Sequence, residues 1–373
     1  MGIEGFDNMR SDALDALNKV SIPDCKFGIR VHGVNLGGWL VLERWIKESM
    51  FVGVNGSDET SFCVQLGREE SSRRLREHWD TWIVQDDFKW IAAHGFNAVR
   101  IPVGHWIFGC ASGYPYHESY KEDRHPYVDG GLERLDRAFD WAERYGLMIL
   151  VDLHCAPGCQ NGSHHGGLDG VADWRKKAEY VDYTVLVLER LAERYGKRRA
   201  LWGIETVNEP GGNVPDWSLV DFNWRAYHAI RKYCPPEKGA VVIHDGFRGS
   251  RISDVFGGKM SRPEFQNVVL DVHRYQCFGE EKKLDHAGNI CLAEGTIANE
   301  LRKLESEVLW TICGEWSIAT GGSRSDVERQ VFYDTQVKAF SNCHGSFFWN
   351  YKIEDRNPHW SLRDAVEGGL SLP

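Results

Sequence analysis

Two glutamates stand where chemistry is possible. Glu209 closes the run LWGIETVNE, and Glu315 lies near the end of LWTICGEW. Each ends an apolar stretch of strand length and precedes a loop-like break. Two carboxyl groups facing one bond can split a glycosidic linkage with retention. One protonates the leaving oxygen, and the other attacks the anomeric carbon. Glu209 as the acid needs a raised pKa, and the negative charge of Glu315 is expected to raise it.

Such a pair must be held by elements that end together. Eight apolar, β-branched runs recur along the chain: 33–39, 97–103, 147–154, 201–209, 240–247, 268–276, 309–316 and 346–354. Helix-patterned segments lie between them. The spacing predicts helices over 79–93, 132–145, 174–195, 217–233, 293–307 and 326–340, the first three stopping at Gly95, Gly146 and Gly196. The link after 247 is short and less clearly helical. Alternating strands and helices imply a parallel sheet, and eight such units close into an α/β fold of the (β/α)8 barrel type. No internal repeat or linker divides the chain, so one domain over residues 1–373 is expected, with 1–27 a helix and arm packed on the barrel. Long insertions at 40–80, 104–131, 155–173 and 274–292 follow strands and would build up the catalytic face.

Taken in order, the runs present Arg100, His154, Asn208, Glu209, His273, Tyr275, Glu315 and Trp349 to one rim. Any one of these could be a satisfied structural group. Eight polar or aromatic groups from six strands are hard to explain that way, because lone polar groups are costly to bury. Asn208 is placed to hold a sugar 2-hydroxyl. Arg100 and Tyr275 would keep Glu315 ionised, His154 and His273 would orient the carboxyls or bind hydroxyls, and Trp349 would floor the pocket.

Bulk properties narrow the partners. The chain has 373 residues, a net charge of -10 and 15 Trp. The acidic balance disfavours nucleic acid and anionic membranes. No apolar run reaches the length of a membrane span. The first residues lack the basic and apolar regions of a signal peptide, so either an intracellular protein or a removed leader is expected. The ten cysteines include no CxxC pair, and neither a metal site nor a cofactor is expected. Bridges between Cys155 and Cys159, or Cys277 and Cys291, are open. Asn55 and Asn161 lie in glycosylation sequons.

The motifs VHGVNLGGWLVLERW, NAVRIPVGHW, VDLHCAPGCQNG, VNEP, HRYQCF, GEW and FFWNYK resemble those of glycoside hydrolase family 5, and within it the fungal exo-β-1,3-glucanases. The resemblance covers about residues 28 to 360, and all eight rim positions carry the residue the family has there. It implies a (β/α)8 barrel, Glu209 as acid/base, Glu315 as nucleophile and a covalent glycosyl-enzyme. It further implies a monomeric, secreted enzyme for a β-glucan or β-glucoside, with Glu43 capping the terminal glucose. A surface salt bridge to Arg44 or Lys47 is the other reading of Glu43.

One segment departs from this pattern. The exo-glucanases read NGFDNSG where this chain has Asn161-Gly162-Ser163-His164-His165-Gly166-Gly167. An aromatic clamp becomes Ser163, and two sugar-binding positions become His164 and His165. Arg44 replaces a Pro, and Cys155 and Cys159 replace Gly and Ser. The pair His164-His165 either reads a different aglycone or sits in a solvated loop. The expected function is therefore an exo-β-1,3-glucanase, with a β-1,6-glucan or rutinoside-type glycosidase as the alternative. A non-catalytic carbohydrate-binding barrel is the remote third, since none of the carboxylates or their supports is lost.

Overall fold

The computed structural model describes residues 22, 26–109 and 125–373. The expected N-terminal helix and arm, Cys25, Cys110 and much of the 104–131 insertion fall outside the described residues. Eight parallel strands close into a barrel in chain order: β1 (Val31–Asn35), β2 (Ala98–Gly104), β3 (Met148–Cys155), β4 (Leu201–Glu205), β5 (Ala240–His244), β6 (Val268–His273), β7 (Trp310–Trp316) and β8 (Gly345–Phe348). Pairing of Val31 with Gly345 closes the ring. Every strand residue except His32 and Trp310 is buried, as expected when helices cover one face of the sheet and side chains fill the other.

The helices follow their apolar stripes. Residues Gly131–Tyr145 bury Leu135, Ala138, Phe139 and Ala142 at helical spacing. Ala178–Tyr195 ends at Gly196 as expected, but for a different reason. Gly196 keeps a right-handed φ of -57°. What it supplies is space, since a Cβ there would lie 2.5 Å from the Ala192 carbonyl oxygen. The segment 79–93 is not one helix. It divides into Glu59–Thr81 and Gln85–Ala93, and the Asp87 carboxylate accepts the Val84 N–H at 2.9 Å to cap the second. Asp87 is also held by Tyr351, Lys352 and Arg363, so long-range contacts fix the break. Among the described residues, no helix is long and apolar enough to cross a membrane.

Four strand ends differ from expectation. Arg100 is the third residue of β2 rather than its end, which puts it inside the barrel. β4 stops at Glu205, so Asn208 and Glu209 stand on the turn beyond it. Tyr275 and Trp349 likewise lie just past β6 and β8. Glu209, Tyr275 and Trp349 thus sit on turns just past their strands, while His154, His273 and Glu315 remain on β3, β6 and β7.

Candidate active site

The site is built upward from Arg100, which is fully buried. Its Nε donates to Glu205 at 2.8 Å, Nη1 to Asn35 at 3.0 Å and to Glu315 Oε1 at 2.9 Å, and Nη2 to the Asn208 side-chain oxygen at 2.8 Å. Asp152 adds an ion pair at 3.1 Å. One planar cation therefore aligns the nucleophile candidate and the Asn beside the acid candidate. Asn35, Asp152 and Glu205 were not singled out from the sequence. Their signal was a lone polar residue inside an otherwise apolar strand run. Burial raises the Glu205 carboxyl, Arg100 pulls it back, and the net position is well above the usual carboxylate range.

His273, the last residue of β6, joins the two carboxyl groups. Its Nδ1 lies 2.6 Å from Glu209 Oε1 and 3.4 Å from Glu315 Oε2. Those oxygens are therefore no more than about 6 Å apart. That limit on one oxygen pair is compatible with the ~5–5.5 Å separation of retaining enzymes. Tyr275 donates to Glu315 Oε2 at 2.9 Å. Glu209 has a φ of +43°, unusual for a residue with a side chain. Such a backbone costs about 1–3 kcal/mol and persists where surrounding contacts hold it. Here Asn161 Nδ2 donates to the Glu209 carbonyl at 3.1 Å, and Gln160 does the same for Asn208 at 2.9 Å. With its side chain committed in this way, Asn161 is part of the site loop rather than an open sequon.

The protonation order reverses the sequence expectation. Burial alone would raise Glu209, but the His273 hydrogen bond and charge outweigh it and hold the carboxyl well below its usual range. His273 is correspondingly raised: burial lowers it, and the charges of Glu315 and Asp271 more than reverse that. Burial also pushes Glu315 up, against the pull of His273 and Arg100. Glu209 and His273 thus titrate as one unit across a 2.6 Å contact, with Oε1 of Glu209 facing Nδ1. The imidazole between the two glutamates, rather than the charge of Glu315, sets the position of Glu209.

Above these groups is a cavity of about 360 Å³, in the range of small-ligand sites. His154, Trp349, Tyr275, Glu209 and Glu315 line its base. His154 Nδ1 bonds Asp152 at 2.6 Å, which leaves its buried Nε2 without a partner among the described residues. The Asn208 Nδ2 is orphaned in the same way. Trp349 stacks on His154 with the rings 5.6 Å apart and nearly parallel.

Glu43 is buried in the pocket wall, where Trp45 Nε1 donates to it at 2.9 Å. Arg44 pairs with Glu48 and Lys47 with Glu354, so the surface salt-bridge reading of Glu43 is set aside. His164 approaches Glu43 at 3.7 Å and His165 approaches Glu209 at 3.4 Å. Both histidines face the pocket, and the solvated-loop reading does not hold for either. Trp45, Trp360 and Phe278 complete an aromatic rim that sequence reasoning did not name. Trp45 lay inside a quoted motif; Trp360 carries no local signal. Cys155, Cys159, Cys277 and Cys291 are free thiols, so neither considered bridge forms.

Glu209, His244 and His273 bring potential metal-ligand atoms within 4.8 Å of one another. Their bonding suits a proton network instead. His244 Nδ1 accepts the Gly246 N–H at 2.9 Å, which leaves the proton of the neutral ring on Nε2. His273 Nδ1 is already engaged with Glu209. A metal would have to displace both arrangements.

Barrel, paired carboxylates and aromatic-rimmed pocket together define a glycoside-hydrolase barrel. A family model described as "Cellulase (glycosyl hydrolase family 5)" matches residues 61–354. The chain belongs to glycosyl hydrolase family 5. It is 38% identical to a glucan 1,3-beta-glucosidase of Pichia angusta over 78% of this chain and 64% of that protein. It is 33% identical to one of Blumeria graminis over 91% of this chain and 86% of the relative. Among solved structures it superposes on a rutinosidase from Aspergillus niger with a TM-score of 0.78, at 20% identity over 94% of this chain and all of that one. At that identity the likeness is one of fold.

Proposed function

We propose that this protein is a retaining, exo-acting β-glucosidase that removes terminal glucosyl units from β-1,3-glucan. The observation that carries the reading is the placement of Glu209 and Glu315 on one imidazole at the base of a pocket, with the oxygens that face it no more than about 6 Å apart. Glu315 Oε2 attacks the anomeric carbon while Glu209 gives its proton to the departing oxygen. In the second half Glu209 takes a proton from water, which releases the sugar from Glu315 with its β-configuration kept. The orphaned Asn208 Nδ2 and His154 Nε2 supply hydrogen bonds to sugar hydroxyls, and Trp349 lies under the ring. Glu43, Trp45 and His164 close one side, which suits a chain end better than a continuous chain. The glucan 1,3-beta-glucosidase relatives support the linkage.

Ser163 in place of an aromatic clamp, with His164 and His165 beside it, favours a second reading: a β-glucosidase for another linkage or aglycone. A product time course on laminari-oligosaccharides, gentiobiose and rutin, followed by NMR, decides between them. Stepwise release of glucose from the laminari series, β-anomer first, is the expected result. No attack on that series with cleavage of gentiobiose or rutin would transfer the assignment to the second reading. Release of the α-anomer first would remove retention altogether.

The pH profile follows from the proton inventory. Activity appears as pH rises through the Glu315 pKa, which is raised, because the nucleophile must be ionised. It disappears as pH rises further, through the loss of the proton held by Glu209 and His273, itself raised on the His273 side. A bell in kcat/KM is expected, with its alkaline limb above the ordinary histidine value of about 6.5. His273→Asn should move that limb towards acid. A limb that stays in place in the variant would show that His273 does not share the proton.

A further inference from the structure

The two oxygens of Glu209 face different imidazoles. Oε1 lies against His273 Nδ1 at 2.6 Å, on the side of Glu315. Oε2 has His165 Nε2 as its partner at 3.4 Å, on the side of the 161–167 loop. With Oε1 engaged by His273, Oε2 is the oxygen placed to meet a leaving group. The loop fixes His165 at that point. The Cys155 thiol donates to the His165 carbonyl at 3.0 Å, and Asn161 Oδ1 accepts the Ser163 N–H at 2.9 Å while its Nδ2 holds the Glu209 carbonyl. The His165 ring packs between His154 and His164, at 5.7 and 5.6 Å, with 19% of its side chain exposed.

Charge decides what an imidazole does in this position. A cation would act with His273 to hold Glu209 ionised and unable to donate. Burial, reinforced by His154, His164 and His273 against the single opposing charge of Glu209, pushes His165 down to about 4. The ring is therefore neutral at neutral pH. In the free enzyme the 3.4 Å approach is a polar contact rather than a formed hydrogen bond, and contacts in active sites often tighten only when substrate binds.

We propose that His165 is a positioning residue for the glycosylation step: its neutral ring holds Glu209 Oε2 on the leaving-group side, so that a poorly departing aglycone receives its proton there. The inference rests on Glu209 being the acid/base. In the step, the Glu209 O–H bond breaks as the glycosidic oxygen takes the proton. The bond from that oxygen to the anomeric carbon breaks, and the bond from Glu315 forms. His165 gains and loses nothing, acting only through Glu209.

The test uses the full chain and a series of aryl β-glucosides, from dinitrophenyl to methoxyphenyl, with a β-linked glucose disaccharide. The kcat/KM of wild type, His165→Asn and His165→Gln is measured on each, since kcat/KM reports the step in which the leaving group departs. His165→Asn is expected to lose about tenfold or more on methoxyphenyl and disaccharide substrates and under about twofold on dinitrophenyl, a part of the ~10²–10⁴-fold that a positioned acid supplies. His165→Gln, which can still reach Oε2, should recover part of the loss. Loop collapse would lower every substrate alike. A uniform loss, or no loss, overturns the proposal while the acid/base assignment survives. Failure of the wild type on every β-glucoside overturns both.

Discussion

Glu315→Gly is expected to lose hydrolysis by about 10⁴-fold or more, equivalent to roughly 5 kcal/mol of barrier. Added azide should restore turnover of an activated β-glucoside and give the α-glucosyl azide. Glu315 has one oxygen bound by Arg100 and the other by Tyr275 and close to His273, with both bonds at 2.9 Å. A carboxylate held that firmly acts as a nucleophile in place. Deleting it leaves room beneath the anomeric carbon, and a small anion entering there inverts the centre once. Glu209→Ala with azide should give the opposite anomer, because in that variant Glu315 still forms the covalent intermediate and azide enters from the other face. Identical azide anomers from both variants would void the assignment of roles.

Arg100→Met should be the most damaging change outside the two glutamates. Arg100 is fully buried against Asp152, Glu205 and Glu315, with Asn35 and Asn208 completing its shell. Removing one partner of a buried ionic network costs about 3–5 kcal/mol, because the remaining charges stay buried without compensation. Function should fall with stability. Without Arg100, Glu315 loses one of the cations that counter its burial, and its pKa climbs further. Chemical denaturation with a parallel activity assay tests both effects. An unchanged midpoint would mean that Arg100 is not the keystone of the interior. Arg100→Lys should not rescue fully, since a single ammonium cannot reach four acceptors in one plane.

The barrel was legible in the sequence because its signals are local. Parallel strands buried on both faces read as continuous apolar runs, and helices such as 131–145 carry their stripe in i, i+3, i+4 order. Strand ends were less legible, since the run LWGIETVNE gives no local sign that the hydrogen-bonded ladder stops at Glu205 rather than at Glu209. The interior of the site was least legible. Asp152, Glu205 and Asp271 each looked like an interruption of an apolar run. Gly314 shows what such an interruption can mean: its N–H donates to Asp271 at 2.6 Å, and a Cβ there would collide with the same carboxylate.

The sequence by itself determined the kind of molecule and its two reactive carboxyl groups, because periodicity and residue type at strand ends are properties of short segments. Tertiary structure alone decided how those groups share protons. Glu209, His273 and Glu315 are 64 and 42 residues apart along the chain in turn, yet one nitrogen of His273 lies within hydrogen-bond or near-contact distance of both carboxyls. It also decided that His164 and His165 face the pocket rather than solvent. Charge–charge interaction depends on distance and on the surrounding dielectric, and neither exists until the barrel closes and excludes water.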